Sequence, residues 1–226
     1  MIALKLFLVA LFWNLASINS YCSDSPKLAQ SIYVPCILCS QKWNKNDYQN
    51  CIRNLEDEIK LEQNSNDSKH WAQLNWIEDE NNPVFNTITS EILNGNEKAI
   101  AIGFRLFILT SAVYAENLAG VISISAITNP TAYLKNIEWF IIYSKNSKKD
   151  KSYLCEGVPI DLIDWGDFSD SEMKLVNIKN TWNYHDNHLR LLNKKIEAIQ
   201  TVQNKELKSI KTIVLTTLKN EIKKEK

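Results

Sequence analysis

Turn-forming residues are scarce in this chain, and that scarcity limits the folds open to it. The 226 residues include five Gly and five Pro. An all-β protein changes direction about every ten residues and needs a turn former at most of those points. Hydrophobic residues make up 45% of the chain, which is typical of a packed globular protein and not of a disordered one. The composition therefore predicts a mainly α-helical fold.

Apolar residues in the middle of the chain, from 83 to 143, recur at helical spacing. The first helix of this region begins at Pro83 and stops at Asn94-Gly95, because proline suits a helix start and glycine a helix end. Further helices are predicted at 97–110, at 112–127, and from Asn129-Pro130 to Tyr143. Short connections between helices with apolar faces predict antiparallel hairpins that stack in sequence order, as in a helical repeat.

Two further segments flank this repeat core within a single α-helical domain predicted over 21–226. A cysteine-containing N-terminal segment, 21–69, includes an amphipathic helix predicted from Tyr48 to Leu61. A C-terminal segment, 171–223, contains no Gly or Pro and has an apolar stripe, which predicts a long helix or two helices joined by a kink near Gln203-Asn204.

The first 20 residues have the layout of a cleavable secretory signal. Lys5 supplies a positive charge, Leu6 to Ala16 is an apolar run broken by Asn14, and Ser20 is the predicted last residue before cleavage. The run is shorter than the ~20 residues that span a bilayer. These features predict an exported protein, either periplasmic or secreted.

Cys22 follows the apolar run, as the acylated cysteine of a bacterial lipoprotein does. Tyr21 is bulky where a small residue is required, and Asn19 occupies a position that is usually aliphatic. A lipoprotein anchored through Cys22 is therefore the less favoured interpretation.

Four of the five cysteines lie in the N-terminal half of the chain and constrain it. In an exported protein, four cysteines within thirty residues predict disulfides, and four cysteines allow three pairings that the sequence does not distinguish. A zinc site built on Cys36-x2-Cys39 and Cys51 is a less favoured alternative. The disulfide candidates are Cys22, Cys36, Cys39, Cys51 and Cys155.

Arg105 and Glu116 are the lone charges of a long apolar stretch. No other charged residue lies between them, so they are candidates for a buried ion pair that faces across a helical hairpin. The alternative, in which each side chain reaches solvent separately, stays open.

The C-terminal half contains the residues with the best potential for metal binding. His185 and His188 could share a helix face and hold a metal with Asp186 or Asp170, and carboxylates cluster from Asp164 to Asp170. This set suggests a metal-dependent hydrolase as an alternative function. It lacks the glutamate of the metalloprotease signature, and no nucleophile, phosphate-binding or dinucleotide motif is present. The sequence therefore predicts no catalytic residue, no metal site and no cofactor.

Three short patterns between residues 99 and 134 carry a family resemblance. They are Ala99-x4-Phe104-Arg105-Leu106, Tyr114-Ala115-Glu116-x-Leu118 and Asn129-Pro130-x3-Leu134. The chain resembles poorly characterised exported bacterial proteins with stacked helical pairs of the HEAT type. The resemblance implies an α-helical architecture and no activity.

The distribution of charge bears on the partner. Residues 21–172 carry 13 Lys+Arg against 21 Asp+Glu, whereas residues 173–226 carry 12 against 5. A basic helix suits an anionic membrane surface, which is one alternative, but packing on the acidic body of the same chain is favoured. Nucleic acid is disfavoured as a partner by export and by the absence of an aromatic or Arg-rich stripe.

The leading hypothesis for function is an exported, non-enzymatic protein that binds another protein, as helical repeat proteins do on the surface of their stack. An inhibitor, an immunity factor and an envelope scaffold all fit this description. The sequence does not predict an oligomeric state.

Overall fold

Helices account for most of the chain that the computed structural model describes, which comprises residues 45–64, 83–109, 112–146, 154–155, 158–159, 162–163, 174, 176 and 184–225. The mainly α-helical class predicted from composition is confirmed. The helices in these ranges are α1 (Lys45–Asn64), α2 (Pro83–Leu93), α3 (Glu97–Leu109), α4 (Ala112–Thr128), α5 (Pro130–Asn146), α6 (Tyr184–Gln200) and α7 (Lys208–Lys224).

A two-stranded antiparallel pair lies between α5 and α6. Strand β1 (Leu154–Cys155) pairs with β2 (Val158–Pro159), with Leu154 opposite Pro159 and Cys155 opposite Val158. Two residues per strand make this a local turn rather than a sheet, so the pair does not change the fold class.

The turns between helices follow the local chemistry of the sequence. Gly95 has φ of +77°, a left-handed conformation that glycine adopts without strain, and it ends α2. The carboxamide oxygen of Asn96 accepts hydrogen bonds from the first turn of α3, and that of Asn129 does the same for α5 through the Ala132 amide. Asn129 also donates to the Gly95 carbonyl at 2.8 Å, which joins the two turns.

Helix α4 is the central helix of the described core. Every residue from Leu118 to Ala126 is buried, so the helix has neighbours on all sides. It packs against α2, α3 and α5, and also against α6. Among the described residues, no helix combines the length and the apolar run needed to cross a bilayer.

Gly103 allows the close approach of α2, α3 and α4. A Cβ atom at this position would lie 2.6 Å from Cδ1 of Ile92 in α2 and 3.3 Å from Cγ1 of Ile122 in α4. Both distances are shorter than normal van der Waals contact, so a larger residue at this position would require the side chains of Ile92 and Ile122 to shift.

Helix α1 packs against α3. Its inner face presents Cys51, Leu55 and Ile59, which are four residues apart and fully or nearly fully buried. This spacing is that of an amphipathic helix, and the helix predicted from Tyr48 to Leu61 is confirmed, with additional residues at both ends.

The C-terminal segment is two helices and not one. The alternative with a break near Gln203-Asn204 is confirmed, because α6 and α7 are joined by residues 201–207. The ammonium of Lys211 in α7 donates to the Gln200 and Val202 carbonyls at 2.7 Å each, which satisfies the C-terminal end of α6. The start of α6 lies beside the end of α7, so the two helices are antiparallel.

Candidate functional site

Arg105 is a buried cation that joins three helices. Its Nε and Nη2 atoms donate to one carboxylate oxygen of Glu56 in α1, at 3.0 and 2.5 Å. Its Nη1 atom donates to the side-chain oxygen of Asn136 in α5 at 2.9 Å and to the Ala101 carbonyl of its own helix at 3.1 Å. The guanidinium thus connects α1, α3 and α5 through hydrogen bonds on all its nitrogen atoms.

Burial and the ion pair with Glu56 have opposite effects on the pKa of Arg105. Burial lowers the pKa of Arg105 from its ordinary value, while the hydrogen bond and the negative charge of Glu56 raise it. The arginine side chain is 7% exposed and that of Glu56 is 33% exposed, so the carboxylate retains contact with water. Arginine keeps its charge in proteins, so the result is a buried cation with its compensating anion at the rim.

The prediction that Arg105 pairs with Glu116 was wrong. Arg105 is buried, as expected, but its carboxylate comes from Glu56, and Glu116 is exposed near the start of α4. Glu116 lies in the first turns of α4, before the helix enters the core at Leu118. For Glu116, the alternative interpretation of separate access to solvent is the correct one.

Trp139 of α5 lies against the same guanidinium. The Cζ atom of Arg105 is 3.9 Å from the centroid of the Trp139 ring, which is a cation–π contact. Tyr143, one turn further along α5, stacks on Trp139 with ring centroids 5.7 Å apart and planes 12° apart. Both aromatic residues are half-buried, and Ile142 beside them is 56% exposed. We call Trp139, Ile142 and Tyr143 the α5 surface.

Lys195 is a second buried cation, on the inner face of α6. The side chain is 1% exposed. Its ammonium donates to the hydroxyl of Ser123 in α4 and, at 2.8 Å, to the carbonyl of Ile163. These bonds connect α6 to the centre of α4 and to the short described segment 162–163. Ser123 is fully buried, so this lysine–serine pair has no access to a substrate and serves packing.

Tyr133 forms a hydrogen bond to Leu162, the other residue of the described segment 162–163. Its phenol hydroxyl donates to the Leu162 carbonyl at 3.0 Å, and its ring packs 6.1 Å from that of Phe104. Burial raises the pKa of Tyr133 above its ordinary value, because the low-dielectric interior disfavours the phenolate. The residue is therefore a neutral donor at neutral pH.

Replacement of Tyr133 by Phe should have a pH-dependent effect on stability. At neutral pH the variant should lose about 1 to 2 kcal/mol, because the Leu162 carbonyl loses its donor. The folded-state pKa is raised, so the contribution of Tyr133 is present below the unfolded pKa of about 10 and declines as pH rises above it. Urea unfolding of both proteins, at several pH values from neutral to strongly alkaline, measures the difference between their free energies of unfolding. We expect this difference to become smaller above about pH 10. A difference that stays constant with pH would contradict the raised pKa of Tyr133.

His185 and His188 share one carboxylate at the end of the α6–α7 pair. Glu225, directly after α7, places one oxygen 2.7 Å from Nδ1 of His185 and the other 3.6 Å from Nδ1 of His188. Within the described ranges, no group of three or more His, Cys, Asp or Glu has the arrangement of a metal site. The geometry of this cluster is that of a polar contact between helix ends.

Several predicted site residues lie outside the described residues. They are Cys22, Cys36, Cys39, Asp164 and Asp170. Cys51 is fully buried in α1, and the backbone of Cys155 forms part of β1. The metal set of His185, His188 and Asp170 is therefore described only in its two histidines.

Glu56, Trp139, Lys195 and Glu225 were missed by the sequence analysis. A usable signal existed for Lys195: it occupies the apolar face of α6, between Leu191, Leu192 and Ile199, where a lysine needs a polar partner. Glu56 and Trp139 are ordinary members of α1 and α5, Glu225 follows the end of α7, and only the tertiary packing selects these three residues.

The fold and these contacts define the class of the protein: a mainly α-helical protein whose core contains two hydrogen-bonded cations and whose α5 surface carries stacked aromatic residues. Comparisons with protein-family models, with curated proteins and with solved structures gave no match to this chain.

Proposed function

We propose that this chain is an exported, non-enzymatic helical protein that binds another protein through the α5 surface. The observation that carries the proposal is the exposed Ile142 beside the stacked rings of Trp139 and Tyr143. Tryptophan, tyrosine and arginine are enriched among the residues that dominate binding energy at protein interfaces. An inhibitor, an immunity factor and an envelope scaffold would all use such a surface.

The rigidity of the α5 surface supports this proposal. Trp139 contacts the Arg105 guanidinium, which is itself fixed by Glu56 and Asn136. Side chains that are already held in one position lose little conformational entropy when a partner binds. The α5 surface therefore resembles a pre-organised anchor more than a random exposed apolar residue.

A HEAT-like stack of helical pairs is part of the same proposal. Short connections join α2 to α3 and α4 to α5, which makes two helical pairs. The two pairs pack together, because α3 contacts α4 and α5, and α2 contacts α4. In stacks of this kind, one exposed edge of the helices forms the binding surface.

We also propose that the export signal is followed by a disulfide-bonded N-terminal segment that includes Cys51. Its support is the complete burial of Cys51 in α1 and the grouping of four cysteines within thirty residues of the sequence. The pairing of the five cysteines stays open. Peptide mapping of the non-reduced secreted protein identifies the partner of Cys51, and a free thiol at this position would contradict the proposal.

Photo-crosslinking tests the binding proposal. A photoreactive residue at Ile142 should crosslink one discrete protein from the extracellular or envelope fraction of the source cells. The Ile142→Glu variant should weaken binding of that protein at least 30-fold, because a charge at the centre of an interface costs about 2 kcal/mol or more. Ile142 is half exposed, so the substitution leaves the core intact.

Asn193 provides the matched control. It is exposed on α6, a different helix from that of the α5 surface, and its side-chain amide donates to the Leu189 carbonyl of its own helix. A photoreactive residue at Asn193 should give no crosslink to the same protein, and Asn193→Glu should bind normally. Equal crosslinking at both positions, or unchanged binding by Ile142→Glu, would refute the α5 surface as the binding site.

A further inference from the structure

The outer face of α7 has an unusual composition. In an α-helix each residue advances about 100°, and the exposed residues of α7, other than Lys224 in its last turn, fall within an arc of roughly 100°. That arc is directly opposite the buried face formed by Ile210, Val214, Leu218 and Glu221. Six residues form it, and we call them the α7 lysine face: Lys208, Ser209, Thr212, Thr216, Lys219 and Lys223.

Within the part of the chain that the structure describes, no acidic side chain pairs with these lysines. The two carboxylates at the end of α7 are engaged elsewhere, because Glu221 bonds to Lys224 at 2.7 Å and Glu225 bonds to His185. Among the described residues, no carboxylate forms an ion pair with Lys208, Lys219 or Lys223. The α7 lysine face therefore carries three uncompensated positive charges along a line about 22 Å long, at a rise of about 1.5 Å per residue.

The neighbouring helix shows that this is not a general property of the hairpin. The exposed face of α6 contains one basic residue, Arg190, and two acidic residues, Asp186 and Glu197. It is thus close to neutral. The positive charge is therefore concentrated on α7 and not on α6, its antiparallel neighbour.

Helix stability explains only Lys223, which lies in the last turn of α7, where the helix dipole favours a positive charge. Lys208 is the first residue of α7, where the helix dipole disfavours a positive charge. The hydroxyls of Thr212 and Thr216 donate to carbonyls of their own helix at 2.9 Å, so the hydrogen-bonding needs of the face are met internally. What the face offers to a partner is the ammonium groups alone.

We propose that the α7 lysine face docks the protein on an anionic lipid membrane, with α7 lying parallel to the bilayer surface. Charge complementarity carries this proposal. A straight row of ammonium groups on a rigid helix matches a surface of anionic headgroups, and each such lysine contributes to attraction near the surface. The proposal is independent of protein binding at the α5 surface, which lies on another helix.

A nucleic acid is the other polyanion to consider, and the composition of the face argues against it. Single-stranded nucleic acids stack their bases on aromatic residues or arginine, and the α7 lysine face contains neither. Its small hydroxyl residues suit close approach to a broad charged surface. The membrane is therefore the occupant that the face favours.

Vesicle co-sedimentation of the full-length secreted protein tests this inference. The protein should bind phosphatidylcholine vesicles that contain phosphatidylserine and should not bind vesicles of phosphatidylcholine alone. Raising the salt concentration from about 0.1 M to about 0.5 M should release it, because screening shortens the reach of the charges. The triple variant Lys208→Gln, Lys219→Gln, Lys223→Gln should lower the partition coefficient roughly 100-fold, at about 5-fold per lysine.

A second triple variant removes the same net charge elsewhere. Lys60, Lys98 and Lys135 have polar partners at Asp57, Gln49 and Glu97, and their replacement by Gln should leave vesicle binding within about 2-fold of the parent. An equal loss in both triple variants would overturn the inference. So would the absence of binding to phosphatidylserine vesicles, or tighter binding of single-stranded RNA than of vesicles through the same three lysines.

Discussion

Replacement of Arg105 by Leu should destabilise the protein by about 3 kcal/mol, because removal of one member of a buried ion pair also leaves its other partners unsatisfied. Asn136 is 7% exposed and would lose the donor to its side-chain oxygen. Glu56 can turn to water, which places the expected loss at the lower end of the usual range. Thermal unfolding should shift downward by roughly 6 to 12 °C for a chain of this size.

Lys135→Leu is the matched control for this prediction. Lys135 also forms an ion pair between α5 and α3, with Glu97 at 2.9 Å, but the two side chains are 48% and 56% exposed. Exposed pairs contribute at most about 1 kcal/mol. Urea unfolding of both variants should therefore show a clear difference in midpoint, and similar midpoints would mean that Arg105 is not the structural centre that its contacts indicate.

Replacement of Ser123 by Ala should cost about 1.5 to 3 kcal/mol. The hydroxyl accepts a hydrogen bond from the buried ammonium of Lys195, and bonds to charged groups are worth more than neutral ones. Without Ser123, the carbonyl of Ile163 has to compensate for more of the lysine's charge in a region that water does not reach. Urea unfolding of the parent and the variant, fitted with one common m-value, measures the loss in free energy of unfolding.

Ser125→Ala tests whether any buried serine of α4 would give the same result. Ser125 is as fully buried as Ser123, but its hydroxyl donates to the Ile122 carbonyl of its own helix at 2.5 Å. Loss of this local bond should cost less than about 1 kcal/mol, because alanine favours the helix more than serine does. If the two variants were equally destabilised, the Lys195 contact would have no special role.

Local structure was predictable from the sequence because its signals are local. Pro83 and Pro130 are the first residues of α2 and α5, and Gly95 adopts the left-handed conformation that ends α2. Each of these features depends on residues within one turn of the chain. The break between α6 and α7 was predicted as one of two alternatives, since a polar stretch within an amphipathic pattern allows either a kink or a continuous helix.

The pairing of distant side chains was not predictable from the sequence. Arg105 and Glu56 are 49 residues apart, and Lys195 and Ser123 are 72 residues apart. Glu116 is the first acidic residue after Arg105 in the sequence, but sequence proximity does not decide which faces of two helices pack together. The α5 surface was hidden for the same reason: Trp139 is one of seven Trp, and only its position over Arg105 distinguishes it.

Arg105 contacts Trp139 and, by holding the ring in place, should organise the α5 surface. A double-mutant cycle with Arg105→Leu, Trp139→Leu and the combined variant measures this coupling directly as a free energy of interaction. The contact geometry, 3.9 Å from guanidinium to ring centroid at a half-buried site, predicts a favourable coupling of about 1 kcal/mol. Strict additivity of the two single variants, with a coupling near zero, would contradict the claim.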